Sequence, residues 1–134
     1  IDTISGKREY IEIYGNNYAT KDGTAIRDYI HINDLAIGHV KSLEYLFKNN
    51  SNHTLNLGNG IGYTVLEVIN KFENIIQSKI PVRYCEKREG DVPISVADNS
   101  KLKSFFSWEP SLKLQDMCET SLNWKKNSPN GYIS

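Results

Sequence analysis

Long apolar runs are missing from this chain of 134 residues. No stretch approaches the roughly 20 consecutive apolar residues that cross a bilayer, and no leader pattern occurs, so neither a membrane partner nor export is expected. A surplus of one charge is missing too. Lys+Arg and Asp+Glu both number 16, for a formal charge of +0, whereas a duplex nucleic acid calls for a basic face. Nucleic acid is therefore not an expected partner, although overall balance leaves room for a local pair of arginines aimed at a small anion. Cysteine is scarce, and Cys85 and Cys118 show no metal spacing. Buried, reduced thiols are expected, with a disulfide as the alternative. These absences point to a cytoplasmic globular domain. The chain opens at Ile1-Asp2-Thr3 rather than at Met, which suggests an excised or truncated piece.

The parts of several chemistries are absent as well. His31, His39 and His53 have no ligand-like partners, so structural roles are expected of them and no metal site is. No paired carboxylates suit glycoside hydrolysis, and no serine sits in an elbow motif. Gly58-Asn59-Gly60-Ile61-Gly62 has the setting of a dinucleotide fingerprint, but its third glycine comes one residue early. No acidic residue follows at the expected spacing of about 20. A tight turn into a helix is the better reading of those glycines.

What is present is enough for a folded domain: 39% hydrophobic and 24% charged residues suit a soluble globular chain. Tyr10–Tyr14, Asp28–Ile32, His53–Leu57 and Pro81–Cys85 read as strands, and Ile94–Ala97 as a short extended piece. A helix capped by Asn33 or Asp34 carries Leu35, Ala36, Val40, Leu43, Leu46 and Phe47 at three-four spacing. Thr64-Val65-Leu66-Glu67 is a capping box before a helix burying Val65, Val68, Ile69, Phe72 and Ile76. A short helix opens at Asp98 and ends near Phe106. A last one, from about Ser111 to Lys126, turns Leu114, Met117, Ser121, Leu122 and Trp124 inward. Strand and helix alternate, so the expected fold class is α/β. Four short strands and four helices make a thin core, and something else is expected to pack on it.

Two arginines stand out. Arg27 follows a loop rich in turn residues (Gly15, Asn16, Asn17, Asp22, Gly23), and Arg88 opens the loop Arg88-Glu89-Gly90-Asp91. Read on their residues alone, they either pair locally, Arg27 with Asp28 and Arg88 with Glu89, or present fixed donors to a phosphate. Asp91 beside Gly90 suits a pair of sugar hydroxyls, or is an ordinary turn residue.

Larger motifs then narrow the reading. Gly15-Asn16-x-Tyr18-x-Thr20-x-Asp22-Gly23-Thr24, Arg27-Asp28-Tyr29-Ile30-His31-x-x-Asp34-Leu35 and Asn56-Leu57-Gly58-x-Gly60-x-Gly62-x-Thr64-Val65 follow one another in order. Arg88-Glu89-Gly90-Asp91-x-Pro93, Ala97-Asp98-x-Ser100-Lys101, Trp108-x-Pro110 and Pro129-x-Gly131-Tyr132 complete the series. Together they strongly resemble the UDP-glucose 4-epimerases, a family of extended short-chain dehydrogenase/reductases, over residues 10 to 132.

That resemblance implies a C-terminal substrate-binding region spanning residues 1–134, with the N-terminal Rossmann domain that holds NAD missing. It implies a UDP-sugar partner and a homodimeric parent that interconverts C4 epimers through a 4-keto intermediate. The family's Tyr-x-x-x-Lys pair is not here: none of the eight tyrosines has a lysine four residues on. No catalytic residue is expected in this chain, and the piece alone is expected to be inactive. By position, Glu12, Ile13 and Tyr14 match the segment whose backbone and ring face the uracil. Arg27 and Arg88 match the diphosphate arginines, and Asp91 the carboxylate on the ribose. Ser95 matches a gate beside the sugar, where a small residue makes room for an N-acetyl group; a plain strand residue is the alternative. Glu12 departs from the apolar residue more usual there. A related nucleotide-sugar dehydratase, a uronate epimerase or a non-catalytic binding module are the rival readings.

Overall fold

The computed structural model describes residues 1–131, so Tyr132 of the closing motif lies outside the described residues. In chain order the elements are β1 (Ile11–Tyr14), β2 (Ile26–Asp28), α1 (Ile32–Asn49), β3 (Gly62–Thr64) and α2 (Val65–Ile76). Then come β4 (Val82–Cys85), β5 (Ile94–Ser95), α3 (Ser100–Phe106) and α4 (Leu114–Asn127). The strands form two small sheets. Strands β1 and β4 pair in parallel, Ile11 opposite Val82 through Tyr14 opposite Cys85. In the second sheet β2 is central, antiparallel to β3 and parallel to β5. The α/β expectation holds.

Helix α2 forms as its capping box requires: Glu67 N–H donates to Thr64 Oγ1 at 3.1 Å, and Thr64 N–H to Glu67 Oε2 at 2.8 Å. Its apolar stripe covers the first sheet, where Ile13, Ile69 and Ile80 form the buried centre with Val65, Leu66, Phe72 and Ile76 around it. On its other flank α2 packs against α4. There Leu114 and Cys118 are buried, but Trp124 is 44% exposed rather than turned inward.

Three expectations are corrected. The second strand ends at Asp28 instead of beginning there, because His31 caps α1: its Nδ1 accepts Asn33 N–H at 3.0 Å, and its Nε2 meets Thr120 Oγ1 at 2.9 Å. Asp34 is no cap. It is 2% exposed, and its Oδ2 accepts the N–H groups of Ser111 and Leu112 at 3.0 and 2.8 Å, tying α1 to the approach to α4.

Second, α1 turns the other way. Its inward line is Asp34, Gly38, Ser42 and Tyr45, and a Cβ built on Gly38 would stand 2.6 Å from Leu57 Cδ1. The apolar stripe faces out instead, with Val40 and Leu43 at 54% and Phe47 at 83% exposure.

Third, His53–Leu57 is not a strand. Alternation is there, but among the described residues no strand pairs with it to close a ladder. Side chains hold it: the His53 ring packs 4.6 Å from that of Phe105, Asn56 Nδ2 donates to Asp98 O at 3.1 Å, and Lys101 Nζ to Thr54 O at 2.8 Å.

Candidate functional site

The loop between β1 and β2 is closed by its own side chains. Asp22 Oδ1 accepts the N–H and hydroxyl of Thr24 at 2.9 and 2.7 Å, and Asp22 Oδ2 takes the Thr64 hydroxyl at the start of α2. Burial works to raise the Asp22 pKa, and the hydrogen bonds from Thr64 and Thr24 outweigh it, leaving the carboxyl below its ordinary value. The loop therefore delivers Arg27 on β2 from a fixed base.

Arg27 is half-buried. Its Nη1 donates to Ile26 O at 2.8 Å and to Val92 O at 2.9 Å, and its Nη2 lies 3.6 Å from Asp91 Oδ1. Neither expected local pair forms. Asp28 instead accepts three main-chain N–H groups, those of Asn59 and Gly60 at 2.9 Å and of Ala97 at 3.2 Å. Among the described residues Arg88 enters no ion pair; its guanidinium lies over the Tyr14 ring at 3.8 Å. Asp91 N–H closes the turn onto Arg88 O at 3.2 Å. Arg27 thus holds the far end of the 88–93 loop at Val92 and Asp91, and Arg88, at the start of that loop, lies on Tyr14 of β1. Ser95 is exposed and is the direct register partner of Arg27 across β2 and β5.

Beside that loop runs β1. Ile11 and Gly15 N–H groups donate to Pro81 and Cys85 carbonyls. By the two-residue alternation of a strand, Glu12 and Tyr14 turn their main-chain groups to the opposite edge, which no described strand covers. Ile13 is 1% exposed and sits in the core with its main chain toward β4. Ile13 therefore serves packing, and the free main-chain groups of the trio belong to Glu12 and Tyr14. Tyr14 Oη donates to Glu12 Oε2 at 2.8 Å, and the Arg83 guanidinium pairs with Glu12 Oε1. The hydroxyl of Tyr14, followed by Arg83, holds the Glu12 carboxyl below its ordinary pKa. One face of the Tyr14 ring is occupied by Arg88, so a base meeting this ring has the other face. Arg83 is a site residue that the sequence did not single out, and Asp28 was read there only as a partner of Arg27.

The residues present do not fit a dinucleotide cradle. A Cβ built on Gly58 would lie 2.5 Å from Ala97 Cβ and 2.6 Å from Asp28 Oδ2, so that glycine permits two chain segments to meet rather than a pyrophosphate to approach. Gly62 lies inside β3, so the turn runs from an unladdered segment into a strand and then the helix. Both cysteines are free; Cys118 is buried and Cys85 only half-buried, which corrects the expectation of two buried thiols.

The sequence profile of the GDP-mannose 4,6 dehydratase family matches residues 1–121. A UDP-glucose 4-epimerase from Bacillus subtilis (strain 168) is 43% identical over 129 residues, covering 96% of this chain and 38% of its own length. The solved UDP-glucose 4-epimerase of Stenotrophomonas maltophila, with bound NAD and formylated UDP-arabinopyranose, is 36% identical with a TM-score of 0.91, over 96% of this chain and 38% of that one. The UDP-Glc/GlcNAc 4-epimerase of Campylobacter jejuni is 35% identical with a TM-score of 0.82, over 94% of this chain and 38% of that one. The chain thus spans well under half the length of these relatives. It belongs to the GDP-mannose 4,6 dehydratase family of nucleotide-sugar epimerases and dehydratases, and its relatives at about 40% identity over nearly its whole length are UDP-glucose 4-epimerases.

Proposed function

We propose that this chain is the C-terminal, UDP-sugar-holding region of an NAD-dependent UDP-glucose 4-epimerase. Residues 1–134 supply the grip on the nucleotide, and a Rossmann domain elsewhere in the complete protein supplies NAD and the tyrosine–lysine pair. The observation that carries this is that Arg27 holds the 88–93 loop while Arg88 of the same loop lies on Tyr14 of β1, beside that strand's open edge. Two guanidiniums suit a doubly charged diphosphate, and the free main-chain groups of Glu12 and Tyr14 suit the edge of a uracil. Asp91, next to Arg27, accepts from ribose hydroxyls. An anchor confined to the nucleotide leaves the hexose free to turn, which inversion at C4 needs.

Ser95 sits in register with Arg27 and presents a short side chain, so the sugar side of the site has room for an N-acetyl group as well as a hydroxyl. The complete enzyme therefore accepts UDP-N-acetylhexosamines alongside UDP-glucose and UDP-galactose. It works in the cytoplasm as a homodimer paired through parts outside this chain. The exposed stripe of α1 and the unladdered 53–57 segment are the surfaces on which its remaining part rests. Product analysis of the complete protein tests the reading: UDP-glucose and UDP-galactose should interconvert, while this chain alone should turn over neither. A 4-keto-6-deoxy sugar or an epimerised uronate as the product would replace it with a sister activity.

A further inference from the structure

We propose that Glu12 and Arg83 are positioning residues for Arg88, acting through Tyr14. This rests on the reading of Arg88 as a diphosphate ligand. On one face of the β1/β4 ribbon, Glu12 stands opposite Arg83 and Tyr14 opposite Cys85. The two oxygens of Glu12 divide their work. One takes the Arg83 guanidinium, with the Cys85 thiol 3.8 Å away, and the other takes the Tyr14 hydroxyl at 2.8 Å. A phenol tethered at its hydroxyl end is restrained in its swing, and its ring face is what Arg88 lies on, 3.8 Å from the centroid. Arg83 is itself seated 4.1 Å over the Tyr10 ring. Rings and cations thus alternate from Tyr10 to Arg88, with a carboxylate in the middle.

The device answers a local problem. Arg88 grows from an exposed loop with Gly90 at φ +80°, and no carboxylate holds it among the described residues. A long side chain on such a loop must be ordered when an anion binds, and ordering it beforehand removes that loss from the binding step. A carboxylate partner would order it too, but would neutralise the charge that the anion needs. A tyrosine face orders without neutralising. Glu12 spends its charge on Arg83 instead, so the array keeps one net positive charge, located at Arg88.

The test uses the complete protein, titrated with UDP and with uridine. Tyr14→Phe keeps the ring and removes the tether; Glu12→Ala removes its acceptor and leaves the main chain. Each should weaken UDP roughly two- to tenfold, the ordering cost of one long side chain, and weaken uridine, whose base also meets the Tyr14 ring, by clearly less. The double variant should be no weaker than the worse single, because both act through one hydrogen bond. Arg88→Ala should weaken UDP more than either and spare uridine. If Arg88→Ala has that selective effect while the other two leave UDP unchanged, or weaken UDP and uridine equally, the positioning role is overturned and the diphosphate reading stands. If Arg88→Ala leaves UDP binding intact, both are overturned.

Discussion

A carboxylate that receives three main-chain N–H groups, as Asp28 does from Asn59, Gly60 and Ala97, holds separate stretches of chain together. Asp28→Ala leaves those donors without a charged acceptor and should cost roughly 2–3 kcal/mol, read as a lowered denaturant midpoint. Asp22 makes a pH-dependent contribution. Its folded pKa is depressed, so the stability it adds is present above the unfolded value of about 3.9 and lost as pH falls through the lower folded value. The acid limb of a stability–pH curve should therefore be shallower for Asp22→Asn than for the unaltered chain; parallel limbs would contradict this. Burial pushes the Cys118 thiol up to about 11, whereas Cys85 is half-buried. At pH 8 a thiol reagent should modify Cys85 in the folded protein and reach Cys118 only on unfolding. At the sugar end, Ser95→Tyr in the complete enzyme should abolish turnover of UDP-N-acetylhexosamines and spare UDP-glucose; equal loss of both would remove the gate.

Elements differ in how far their own residues decide them. Helix α2 was legible because its cap, its first turn and its apolar stripe all lie within Thr64–Ile76. Helix α1 was legible as a helix and not in its orientation. Three-four spacing marks an apolar stripe, but which stripe faces inward depends on Leu57 beside Gly38 and on the amides that Asp34 holds. Strand β3 escaped notice because Gly62–Thr64 is short and is defined by pairing with β2. Segment 53–57 erred in the opposite direction: strand chemistry without a neighbour yields an extended, side-chain-tied segment. If the rest of the protein supplies that neighbour, main-chain amides of 53–57 should exchange with deuterium rapidly in this chain alone. They should become protected in the complete protein, and equal exchange in both would contradict the docking proposed for this surface.

For the whole molecule, the balance of charge and the outward stripe of α1 have one consistent reading. The domain is not built to attract polyanions, and α1 carries the longest run of its exposed apolar side chains. What the chain concentrates at the 88–93 loop is two guanidiniums, Arg27 and Arg88, with the carboxylates of Glu89 and Asp91 beside them. The family motifs made Arg27 and Arg88 legible, while Asp91 as partner of Arg27 and Arg83 behind Glu12 emerge only from folded proximity, since 64 residues separate Asp91 from Arg27 and 71 separate Arg83 from Glu12. The most direct measurement is a calorimetric titration of the complete protein with UDP, comparing Arg27→Ala and Arg88→Ala with the unaltered protein. Loss of one charge-assisted contact to a phosphate should weaken UDP by about tenfold or more for each variant. UDP affinity within twofold of the unaltered protein for either variant would contradict a shared grip on the diphosphate.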